Sequence, residues 1–69
     1  MEKHDAIERL NALLAKIKEM PFEKGKSGLI RKCNDCIDHL NRYKATGTLS
    51  ARFVKECEQT YARVFGGVL

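Results

Sequence analysis

The apolar residues of this chain recur at intervals of three and four, not two, and fall into three blocks separated by glycine and proline. That spacing belongs to amphipathic helices. The first block is Ala6, Ile7, Leu10, Leu13, Leu14, Ile17 and Met20, and it predicts a helix over about residues 5–20. Asp5 and Glu8 have the spacing of a capping box, with Asp5 as the N-cap. Pro21 disfavours helical geometry at Met20, so the helix should stop there.

The second block is Leu29, Ile30, Cys33, Cys36, Ile37, Leu40 and Tyr43, predicting a helix over about 28–45. Ser27 is placed to cap its free N–H groups. Its apolar stripe repeats the first, position for position. The third block is Phe53, Cys57, Tyr61 and Val64, widened by Val54 and Phe65, predicting a helix over about 51–65. Here Ser50 is the expected N-cap, Leu49 and Val54 the expected hydrophobic staple, and Gly66 the stop. No β-branched alternating run occurs, so strands are not expected.

The expected fold is all-α, one small three-helix domain over residues 1–69. Helices 1 and 2, joined by a short Pro/Gly loop, should form an antiparallel hairpin with helix 3 packed across it. A core this small supplies roughly 3–5 kcal/mol. Matching stripes on two hairpins would let two copies pair as a four-helix bundle, so a homodimer is one expectation.

Composition narrows the class. Of the 69 residues, 43% are hydrophobic and 32% charged, as in folded globular domains. No apolar run approaches the roughly 18 residues a spanning helix needs, so no membrane role is expected. The start of the chain is charged and lacks an apolar signal core. Three cysteines is an odd number, which favours a reduced, cytoplasmic setting over paired disulfides.

The segment Ile30-Arg31-Lys32-Cys33-Asn34-Asp35-Cys36-Ile37-Asp38-His39-Leu40 poses the main chemical question. With Cys57 from the third helix, Cys33, Cys36 and His39 make a Cys₃His set of the kind that holds structural zinc. Against this, the C-x-x-C lies in mid-helix instead of on a tight turn, and its sulfurs fall inside the apolar arc. Free cysteine commonly serves as a small buried hydrophobe. A thioredoxin-like redox pair would need a preceding strand and a helix N-terminus. The favoured reading is therefore core filling, with no metal and no cofactor.

Gly25-Lys26-Ser27 has the tail of a phosphate-binding loop, but Met20 stands where its first glycine belongs. No carboxylate cluster or nucleophile–base pair is legible, and an enzyme is not expected. Nucleic acid is the alternative partner. The second helix, the Thr46-Gly47-Thr48 break and the third helix outline a helix-turn-helix, whose polar face would offer Arg52, Lys55, Gln59 and Arg63. The net charge of +4 is compatible with this but dispersed, and the first twenty residues are neutral.

A protein partner is the favoured expectation. Val54, Phe65, Val68 and Leu69 are apolar beyond what a three-helix packing requires and form the candidate interface. The expected function is a non-enzymatic helical regulator or adaptor. Small helical chains of this style are frequent among phage and plasmid regulators, which is an argument by analogy.

Overall fold

A computed structural model describes residues 1–21 and 24–66. It contains three helices, α1 (Lys3–Glu19), α2 (Lys26–Arg42) and α3 (Gly47–Phe65), and no strand among the described residues. Each helix packs against the other two, with α2 and α3 the most sparsely joined pair.

All three helices start earlier than their sequence pattern suggests, and the caps explain why. Glu2 is the N-cap of α1, so Asp5 sits within the first turn. There its carboxylate still complements the helix dipole, but it caps no N–H group. Glu8 instead lies 3.7 Å from the His4 ring. Gly25, not Ser27, is the N-cap of α2. Its φ of 80° is left-handed, where only glycine is unstrained. A second constraint acts on the same residue, because a β-carbon there would stand 2.8 Å from Val64 of α3.

For α3 the cap is Thr46, whose Oγ1 accepts a hydrogen bond from Leu49 N–H at 3.1 Å. Threonine and serine both suit that role. The choice of Thr46 places Ser50 inside the helix, fully buried and with its Oγ unpaired. It also removes the expected Leu49–Val54 staple, which required the cap to lie between them. At the other end α3 stops at Phe65, as expected, but Gly66 keeps right-handed geometry.

The end of α1 follows from Pro21. Met20 is extended, with φ −67° and ψ 136°, as a residue before proline should be. Lys26 then closes the corner. Its Nζ donates to the carbonyls of Lys18 at 3.0 Å and Met20 at 2.9 Å, satisfying groups freed at the α1 C-terminus. The lysine of the phosphate-loop-like tail thus serves as a structural cap.

The core is built from Ala6, Leu10, Leu13, Leu14 and Ile17 of α1, Leu29, Cys33 and Leu40 of α2, and Val54, Cys57, Tyr61 and Phe65 of α3. The α1 stripe is the expected one. On α3 the buried face is rotated: Val54 and Phe65 lie at its centre, and Phe53 is only half-buried at its edge. On α2, Leu29, Cys33 and Leu40 are buried, Ile30, Cys36 and Ile37 are half-buried, and Tyr43 is exposed.

Candidate functional site

The registration of α3 against its neighbours defines two sides of the bundle. Met1 N donates to Gly47 O at 3.3 Å, Arg9 pairs with Glu58 at 3.1 Å, and Tyr61 Oη donates to Met20 Sδ at 3.8 Å. These contacts run α3 alongside α1 in the same direction. Against α2 the order reverses: His39 meets Phe53, Cys36 meets Cys57, and Gly25 meets Val64. From Gly25 to His39 the seam follows about 20 Å of α2.

These α2–α3 contacts run antiparallel, from Gly25 beside Val64 to His39 against Phe53. The four expected nucleic-acid residues, Arg52, Lys55, Gln59 and Arg63, are all exposed on α3. Arg52 is already paired with Glu56 at 3.3 Å.

The C-x-x-C of α2 lies at the α2–α3 seam. Cys33 and Cys57 are wholly buried, while Cys36 is half-buried. Cys57 Sγ donates to Cys36 Sγ across the seam at 3.7 Å. Burial pushes the Cys36 thiol up to about 12, reinforced by Cys57 and by Glu56 of α3, and only partly offset by Lys32 of α2. Within the Cys33–Cys57 pair the proton stays on Cys57. Their hydrogen bond raises Cys57, with burial adding to it, and the same bond lowers Cys33. Of the three sulfurs that the sequence grouped, the structure brings Cys36 and Cys57 into contact across the seam.

His39, the fourth member of that set, turns elsewhere. Its ring lies 4.9 Å from Tyr43 and meets Phe53 edge-on at 5.2 Å. Among the described residues no group of three or more His, Cys, Asp or Glu side chains is disposed to hold a metal ion.

The stack of Tyr43, His39 and Phe53 is a surface feature that sequence reading assigned to core and rim. Tyr43 lies just past the end of α2 and is 57% exposed. Val64, at the other end of the seam, is 39% exposed. Between them run the half-buried Cys36, His39, Phe53 and Glu56. The expected interface residues are placed differently. Val54 and Phe65 are each 2% exposed and belong to the core, because α3 is rotated toward them. Val68 and Leu69 lie outside the described residues.

A recess of about 140 Å³ opens between α1 and α3, lined by Arg9, Ala12, Leu13, Lys16 and Glu58. It falls well below the roughly 300–1,000 Å³ of small-molecule sites. No described helix is long and apolar enough to cross a membrane. No protein-family model matches this chain, and no match was found among curated proteins or solved structures.

Proposed function

We propose that this protein is a non-catalytic docking module that binds a helix of a partner protein along the α2–α3 seam. The observation that carries this reading is the exposed Tyr43 stacked on His39 and Phe53, with exposed Val64 at the seam's far end. Tyrosine, with an apolar body and a polar tip, is enriched at interface cores. Two helices lying side by side leave a shallow groove, and a third rod laid in it completes a four-helix packing. The seam length matches three to four turns of such a helix, about 20 Å. A partner would also supply the apolar cover that the small core lacks.

The test is photo-crosslinking in cells of the native host. A benzophenone amino acid at position 43 should yield one adduct, whose crosslinked peptide maps to a helical segment of the partner. Val64→Glu should abolish it, and the same probe at the exposed Ala12 on α1 should not form it. Equal adducts from positions 43 and 12, or none from position 43, would remove the proposal. An adduct of twice the chain's own mass would make the occupant a second copy.

A second reading is favoured by the outward face of α3, where Arg52, Lys55, Gln59 and Arg63 are exposed at helical spacing. These residues suit contact with nucleic acid phosphates and bases. Such binding would weaken steeply with salt and would fail on removing Lys55 and Arg63. Docking at the seam would be indifferent to both changes.

A further inference from the structure

Cys36 and Cys57 belong to different helices, yet their sulfurs are 3.7 Å apart. A disulfide brings two sulfurs to about 2.05 Å. Closing that gap takes a side-chain rotation and a small approach of α2 and α3, the more sparsely joined pair. Access is asymmetric. Cys36 is half-buried at the seam surface, and Cys57 is fully buried directly behind it. An oxidant therefore meets Cys36 first, and the Cys57 thiol already donates to its sulfur.

We infer that Cys36 and Cys57 are a redox-sensitive pair that closes into an inter-helix disulfide when the protein meets a peroxide. Cys36 gives up its proton and attacks one peroxide oxygen as the thiolate, the O–O bond breaks, the departing hydroxide takes up that proton and leaves as water, and a sulfenic acid remains on Cys36. The Cys57 sulfur then attacks the Cys36 sulfur. The S–O bond breaks, and the departing hydroxide takes the Cys57 proton as a second water. Overall, two thiols and one hydrogen peroxide give one disulfide and two waters, with sulfur oxidised and peroxide oxygen reduced. Thiol exchange with a small dithiol reverses it. Both sulfurs hold their protons firmly, which slows the first attack, so closure takes an excess of peroxide. Cys33 stays reduced in the core.

The experiment treats the folded chain with excess hydrogen peroxide, blocks free thiols, digests with trypsin without reduction, and maps the products by mass spectrometry. Cleavage after Lys32, Arg42, Lys55 and Arg63 leaves Cys33 and Cys36 on one peptide and Cys57 on another. The expected product is a cross-linked peptide pair two hydrogens lighter than its parts, removed by dithiothreitol. Fragment ions should place the link on Cys36 in the wild-type chain, so the assignment does not depend on any variant folding. The link should persist in Cys33→Ala and vanish in Cys36→Ser. A link placed on Cys33, chains joined to each other, Cys36 carried on to sulfinic acid, or no oxidation would each overturn the inference.

Discussion

Where α1 meets the rest of the bundle, its buried side chains are Ala6, Leu10, Leu13, Leu14 and Ile17, all aliphatic and at most 8% exposed. The seam between α2 and α3 is built from different material. Thiols meet at its centre, an imidazole stacks between two aromatic rings, and tyrosine and valine protrude at its ends. The α1 side has an aliphatic interior, whose worth scales with the apolar area removed from water, edged by polar contacts such as Arg9 with Glu58. The α2–α3 side excludes water incompletely and keeps reactive or adhesive groups at its rim. A chain this short has few residues to spare, and the contrast shows how they are divided. One helix supplies most of the unconditional packing, and the other two hold the surface on which anything can happen.

The largest expected effect separates the two regions. Leu10 is fully buried on α1. Leu10→Ala should cost about 2–5 kcal/mol, comparable with all the stability a core of this size provides, roughly 3–5 kcal/mol. Urea melts followed by circular dichroism should show that variant largely unfolded without denaturant. Tyr43→Ala, at the seam's exposed end, should stay within about 0.5 kcal/mol of wild type. Equal losses from both changes would erase the division.

A smaller effect, of opposite sign, sharpens the comparison inside α3. Ser50 is wholly buried, and its hydroxyl has no hydrogen-bond partner. Burying such a group unpaired costs stability, and alanine is also the better helix former. Ser50→Ala should therefore raise stability by about 1 kcal/mol, read as a higher urea midpoint with an unchanged slope. A loss of stability would mean that the hydroxyl is satisfied after all.

Much of this architecture is legible in the chain itself, for reasons that differ along it. The α1 stripe reads correctly from Ala6 to Ile17 because its spacing is regular and Pro21 sets a hard stop. The start of α3 does not read correctly, because Thr46 and Ser50 both have capping chemistry and only the packed structure selects between them. That four-residue difference turns Ser50 from a surface cap into a buried hydroxyl. The face of α3 is ambiguous for a related reason: Phe53, Val54, Val64 and Phe65 span a wide arc, and tertiary contact decides that Val54 and Phe65 turn inward. The C-x-x-C attracts the eye because its members are close in sequence. The contact that matters joins Cys36 to Cys57, and no local periodicity encodes the register of one helix on another. His39 and Tyr43 are a legible i,i+4 pair, whereas Phe53 joins them only through the fold.

The most direct test is native-state alkylation of the three thiols with iodoacetamide, followed residue by residue through peptide mapping. The seam should be open at Cys36 and shut at its two neighbours, and access should outweigh the easier ionisation of Cys33. The account predicts labelling of Cys36 about tenfold or more ahead of Cys33 and Cys57, which should react only through global opening of the fold. Labelling of all three at one rate, or of either buried thiol first, would contradict it.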